Sequence, residues 1–120
     1  MGTVKNFEDL AVWKMAREIV NCIYSEFAKC NDYSFRDQIT RASVSVMNNI
    51  AEGFSRSSDA EFRYLLNISK GSAGEVKSML YVAEDLRYSD KESALDLRNK
   101  MQRLINSIGA FMKYLKQHNA

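Results

Sequence analysis

The chain has 120 residues, a net charge of +2, 46% hydrophobic and 27% charged residues, two cysteines, five glycines and no proline. That is the size and composition of one domain with an ordinary core. The scarcity of Pro and Gly argues against an all-β or loop-rich fold and for long helices joined by short turns.

The near-balanced charge gives no overall pull toward nucleic acid or membrane. No apolar run reaches the 18 residues of a membrane-spanning helix, and the opening MGTVKNFEDL lacks a signal-peptide core. A cytoplasmic location with no membrane partner is the expectation. Cys22 and Cys30 share one predicted helix, roughly 12 Å apart along its axis. That is too far for a mutual disulfide.

Four helices are predicted in chain order. The first covers about 8–29, with Asn6 as its cap. Leu10, Trp13, Ala16, Ile19, Val20, Ile23, Tyr24 and Phe27 recur at three- and four-residue steps, so Trp13 and Tyr24 are expected in the core. After the turn Cys30-Asn31-Asp32-Tyr33, the second starts at Ser34, with Asp37 completing a capping-box-like pair. It runs to about Phe54 on a seam of Phe35, Ile39, Ala42, Val46, Ile50 and Phe54, and Gly53 suits its end.

The third starts at Ser58, boxed by Glu61, and runs to about Arg87. Its apolar arc, from Phe62 to Leu86, includes Ile68 and is wide enough to touch more than one neighbour. The fourth starts at Ser89, boxed by Glu92, and runs to about Gln117 on Leu97, Met101, Leu104, Ile105, Ile108, Phe111, Met112 and Leu115. Short turns make sequential helices antiparallel. The expected fold is therefore all-α, an antiparallel up-down-up-down four-helix bundle spanning 1–120 as one domain. Fraying is expected only at 1–5 and 118–120.

The second helix carries an unusual face. Arg41, Ser45, Asn48 and Glu52 cluster on the wheel opposite the apolar seam, with Asn49 at the border. A face that met only water would carry Lys and Glu, yet 38–55 holds just two charges, Arg41 and Glu52. A helix apolar on one side and small-polar on the other is expected to be covered on both, most simply by another copy of the chain. Antiparallel folding about Arg56 sets Arg41 beside Gly71 and Ser72, with Glu75 one turn away. An Arg41–Glu75 ion pair, hydrogen bonds among Ser45 and Ser72, and close backbone approach at Gly71 are the resulting expectations. These residues read first as a register and oligomer network.

This stretch and the start of the chain resemble a known family. Phe7, Leu10, Val12 and Trp13, then Gln38, Arg41, Ala42, Ser45, Asn49, Ile50, Ala51, Glu52 and Gly53, then Arg56, Gly71, Ser72 and Glu75 match the bacterial four-helix-bundle proteins encoded in intervening sequences of 23S ribosomal RNA genes. The N-I-A-E-G and G-S-x-x-E elements are the specific ones. Met47 departs from the proline of many relatives. The resemblance implies a bundle assembling as a ring, commonly a homopentamer. It also implies likeness to the accessory variability proteins of diversity-generating retroelements, whose basic surface engages a reverse transcriptase and nucleic acid.

The fourth helix has the one charge asymmetry. Residues 89–120 carry six cations and three anions, a net +3, whereas the first 88 residues net −1. Arg98, Lys100, Arg103, Lys113 and Lys116 form a run without an acid, and multiplied by assembly they would attract phosphate backbones without reading sequence. A solvated helix face is the plainer reading.

No metal or cofactor is expected, because His118 is terminal and no ligand-spaced cluster exists. No catalytic residue is assigned, since neither cysteine has a histidine in the body of the fold and no phosphate loop is present. The expectation is a non-enzymatic homo-oligomeric scaffold, with RNA, DNA or a nucleoprotein as partner through the basic helix. The alternative is a protein–protein interaction module with no nucleic-acid role.

Overall fold

The structure, a computed structural model, describes residues 4–118. The described residues form four helices and no strand. A 3₁₀ turn at Phe7–Asp9 precedes α1 (Ala11–Glu26), α2 (Tyr33–Phe54), α3 (Asp59–Asp85) and α4 (Lys91–Gln117). They make a rod of 49 × 20 × 19 Å.

Cross-helix bonds give the direction of each neighbour. Gln38 reaches Glu75 while Ser45 reaches Ser72. Lys77 reaches Gln102 and Arg98 reaches Glu84. Lys100 reaches Cys22 and Ser89 reaches Glu26. In every pair the residue number rises on one helix as it falls on the other, so these neighbours run antiparallel.

The helix starts show which caps win. Ser58 accepts from the Glu61 amide at 3.2 Å, as the capping box requires. At α2 the cap is Asp32, which accepts from the Phe35 amide at 3.1 Å, not Ser34. At α4 it is Asp90, accepting from the Ser93 amide at 2.7 Å, not Ser89. In both cases a nearby aspartate, two residues before Ser34 and one after Ser89, outcompetes the serine, because a carboxylate also meets the positive end of the helix dipole. Ser89 instead donates to Glu26, tying the start of α4 to the end of α1.

The first helix differs more. Asn6 makes no side-chain cap bond, and Leu10 turns extended, so Phe7–Asp9 is a separate turn and α1 begins three residues later than expected. α3 ends in a Schellman motif. Tyr88 N–H donates to Ala83 O at 2.8 Å and Arg87 N–H to Glu84 O at 3.1 Å, with Arg87 at φ 61°.

The core is the continuous apolar centre of all four helices. Ile23, Phe27, Ile39, Ile50, Leu66, Leu80, Leu104 and Ile108 are fully buried, each contributing about 1.5–3 kcal/mol over an exposed position. At one pole Phe27, Phe35 and Tyr88 stack edge to face, and Tyr88 donates to Asp32 at 2.8 Å. At the other, Phe62 packs edge-on against Phe54 and Phe111. Gly53 lies beneath Phe62: a Cβ there would sit 2.7 Å from the ring. Gly53 is thus a packing residue inside α2 rather than its terminator.

The buried hydroxyls of Thr40, Ser43 and Ser69 each donate to a backbone carbonyl, so none is orphaned. Three expected core residues are not in it. Tyr24 is 52% exposed, Leu86 53% and Ile68 38%. Trp13 is half-buried against the core. α2 runs unbroken through Met47. A Cβ at Gly71 would meet nothing within 4 Å, so no close backbone approach occurs there within the chain. Cys22 and Cys30 are both free thiols. Of the expected frayed ends, 1–3 and 119–120 lie outside the described residues. Val4 packs on the core and His118 stacks on Tyr114 at 4.2 Å.

Candidate functional site

The outer face of α2 is built by helical register. Ile39, Val46 and Ile50 fix one side in the core, which turns Asp37, Arg41, Val44, Asn48 and Glu52 outward. Arg41, Asn48 and Glu52 are exposed, and Ser45, Asn49 and Ser72 are half-buried at their flank. The Ser45 and Ser72 hydroxyls share a hydrogen bond of 3.1 Å. Asn49 Nδ2 donates to Ser45 O at 2.8 Å and Ser45 Oγ at 3.1 Å. This network links α2 to α3.

The hydrogen bond between Ser45 and Ser72 forms as expected, although Ser72 lies level with Ser45 rather than Arg41, and the expected ion pair is absent. Glu75 accepts from Gln38 at 3.5 Å, and Arg41 forms no ion pair with it. Gln38 lies one turn before Arg41 on the α3-facing side, so it reaches Glu75 first. Glu52 pairs instead with Arg56 on its own helix.

Two grooves flank this face. One of about 590 Å³ runs between α1 and α2, and the exposed Tyr24 lines it with Thr40, Val44 and Asn48. The other, about 630 Å³, runs between α2 and α3 past Gln38, Arg41, Ser72 and Glu75. Tyr24 belongs to this surface. The core reading of Tyr24 missed it because position 24 lies at the edge of the α1 apolar arc, where burial depends on the neighbouring helix.

The five cations of α4 separate into two groups. Arg98 is buried at 8% exposure, bonded to Glu84 at 2.8 Å with its guanidinium 4.1 Å over the Tyr81 ring. It faces α3 and is withdrawn from the surface. Lys100 faces α1, 3.3 Å from Asp96 and 3.9 Å from Cys22 Sγ. The hydrogen bond to Asp96 holds its ammonium above the ordinary lysine value. Its groove also holds Glu18, Glu26 and Glu92, so the surroundings are acidic. Arg103, Lys113 and Lys116 are exposed, as are Lys14 and Arg17 on the adjoining part of α1, with Arg17 over the Trp13 ring at 5.7 Å. Charge counting on α4 alone did not bring in the two α1 cations.

Among the described residues, no group of three or more His, Cys, Asp or Glu is arranged to hold a metal ion. No described helix is long and apolar enough to cross a membrane.

A four-helix bundle with a small-polar outer stripe on α2 is thus the class of protein. The chain belongs to the 23S rRNA-intervening sequence protein family, whose sequence profile matches residues 8–110. A crystal structure from Bacteroides thetaiotaomicron, of a protein with unknown function from the S23 ribosomal protein family, superposes with a TM-score of 0.80 at 22% identity. The match covers 86% of this chain and 99% of that one, and it shows the shared fold. Among curated proteins none matches the chain.

Proposed function

We propose that the chain is a non-enzymatic cytoplasmic scaffold that assembles as a homo-oligomer, a pentamer by family resemblance, and receives nucleic acid or a nucleoprotein on its exposed cations. The outer face of α2 carries this reading. Arg41, Asn48 and Glu52 stand out from a stripe otherwise small or amide-bearing, with a groove on each side. Amides and hydroxyls in such a stripe find partners when a second copy covers them.

Arg103, Lys113 and Lys116, joined by Lys14 and Arg17, supply the phosphate-binding surface. Arg98 does not, because it is buried and paired with Glu84, and Lys100 does not, because it pairs with Asp96 in a groove lined by carboxylates.

Light scattering tests the assembly. Replacing Asn48 and Glu52 together by Lys puts like charges where copies meet. The mass should fall toward the 13.8 kDa of a single chain with helical circular dichroism retained. A mass equal to wild type, oligomeric or not, overturns the assignment of this stripe as the contact between copies. A second reading, a protein-binding module without nucleic acid, draws on Tyr64, Ile68, Val82 and Leu86, which line one exposed side of α3. Its binding would be insensitive to salt, whereas phosphate binding falls steeply with it.

A further inference from the structure

The crease between α3 and α4 lies opposite the side formed by α1 and α2. It gathers cations that a count made helix by helix keeps apart. Lys77 Nζ donates to Gln102 Oε1 at 2.6 Å, and Arg98 crosses to Glu84 at 2.8 Å. These bonds fix which flanks of the two helices meet, and at what height. Residues a heptad apart keep nearly the same side of a helix. Lys70 and Arg63 therefore continue the α3 wall from Lys77, and Gly109 and Lys116 continue the α4 wall from Gln102. Antiparallel register sets Lys70 level with Gly109 and Arg63 level with Lys116, each step roughly 10 Å along the rod.

Arg63, Lys70 and Lys116 enter no ion pair among the described residues. Arg63 is half-buried, and its Nη1 is buried without a hydrogen-bond partner. No acid occurs at 102–116, and the one at 63–77, Glu75, is turned to α2, where Gln38 holds it. At the two ends of the crease stand Asp59, which makes no ion pair with Arg63, and Glu84, which Arg98 neutralises. The middle level is open, since a Cβ at Gly74 or Gly109 would meet nothing within 4 Å.

Cations level with each other across a crease repel unless an anion lies between them. A buried guanidinium N–H without an acceptor is a cost that an oxygen from outside removes. A cationic wall about 20 Å long complements a polyanion rather than one small anion. A nucleic-acid strand supplies such a row, with a phosphate about every 3.4 Å of duplex axis. No aromatic ring lines these levels to take an unstacked base: Tyr64 lies on another flank of α3, and Phe111 and Tyr114 face the groove with α1. A duplex, which hides its bases, loses nothing at such a surface. We propose that the α3–α4 crease seats the phosphate backbone of duplex nucleic acid on Arg63, Lys70 and Lys116, with Lys113 at its outer lip. The inference rests on the nucleic-acid part of the reading above and names the form of nucleic acid and its site. A second copy on the outer face of α2 leaves the crease open, because α4 packs on α1 and α3 and not on α2.

The test is fluorescence anisotropy with a labelled DNA duplex of about twenty base pairs, and its single strand, across a salt series. Light scattering and circular dichroism in the same buffers check mass and fold. The duplex should bind at least as tightly as the single strand. Arg63→Gln and Lys70→Gln should each lower the slope of log K against log salt by about 0.9. Gly109→Glu, which puts a carboxylate opposite Lys70 where a side chain has room, should weaken binding by about tenfold. Gly109→Gln, of the same size without the charge, should bind like wild type. Gly71→Glu adds the same charge on another flank of α3, also in open space, and should weaken binding by less than about twofold.

If Arg63→Gln and Lys70→Gln keep the wild-type slope while Arg103→Gln loses it, the backbone lies on the outer side of α4. The crease assignment then falls and the nucleic-acid reading stands. Equal losses from Gly109→Glu and Gly71→Glu would mean that only net charge counts, and would overturn the crease in the same way. A single strand that binds about tenfold more tightly than the duplex overturns the choice of duplex. If no oligonucleotide binds even at low salt, the nucleic-acid reading falls and takes the crease with it.

Discussion

Gly53→Ala sets two known effects against each other. Replacing a mid-helix glycine by alanine stabilises an unobstructed helix by about 1 kcal/mol. Here the new methyl would lie 2.7 Å from Phe62 Cδ1, 3.1 Å from Cε1 and 3.2 Å from Leu65 Cβ. Favourable carbon contacts begin near 3.5 Å, so something must shift. Phe62 is 4% exposed and held edge-on between Phe54 and Phe111, and Leu65 Cβ moves only with α3. Overpacking of this kind costs about 1–3 kcal/mol.

The expected net loss is about 1 kcal/mol, or roughly 3–6 °C in Tm for a chain of this length. Urea unfolding followed by circular dichroism, at one fixed protein concentration, measures it. In a Phe62→Leu background, where the ring is gone, Gly53→Ala should cost less or become stabilising. A rise in stability from Gly53→Ala alone would refute the packing argument.

Arg87→Gly should raise stability by about 1 kcal/mol, because glycine carries no penalty at φ 61° in the Schellman cap; a fall in Tm would contradict this. Arg98→Ala should destabilise by about 2 kcal/mol, by leaving Glu84 unpaired and Tyr81 uncovered, while Arg103→Ala stays within about 0.5 kcal/mol. Equal effects in thermal unfolding would mean Arg98 is not structural. Acid stability should depend on the two capping carboxylates. The Phe35 amide and then the Tyr88 hydroxyl lower the pKa of Asp32, and the Ser93 amide and hydroxyl lower that of Asp90. Their contribution is therefore present above the unfolded carboxylate value of about 3.9 and is lost as pH falls through the lower folded values. Asp32→Asn with Asp90→Asn keeps both caps but removes the titration, so Tm between about pH 5 and 2 should fall less than in wild type; identical acid limbs would refute it.

Helix number, order and most of the core were legible because periodicity reports burial directly. Ile39, Val46 and Ile50 fall where the α2 seam put them. Boundaries were less so, since several groups compete for one helix end. A box such as Ser34 to Asp37 reads well alone, yet Asp32 stands two residues upstream with a stronger acceptor.

Surface chemistry was the hardest to read. A wheel places Arg98 and Lys100 on the polar side of α4, but their positions lie at its flanks, where a long side chain folds into the crease with α3 or α1. Composition cannot tell such a cation from Arg103. Antiparallel register brought Ser45 and Ser72 into the same neighbourhood but placed Arg41 at the height of Ser72, about one turn from where the two serines meet. It did not give the choice of Gln38 over Arg41 by Glu75, which depends on side-chain reach.

The antiparallel path has a consequence for engineering. Val4 and Tyr114 border one cleft, so anything joined ahead of Val4 or beyond His118 leaves from a single pole, beside the α2–α3 turn. The opposite pole carries the α1–α2 and α3–α4 turns. A short linker between the two ends should therefore allow circular permutation, with new ends opened in the exposed turn at 55–58. A fused reporter would stay clear of the aromatic knot of Phe27, Phe35 and Tyr88.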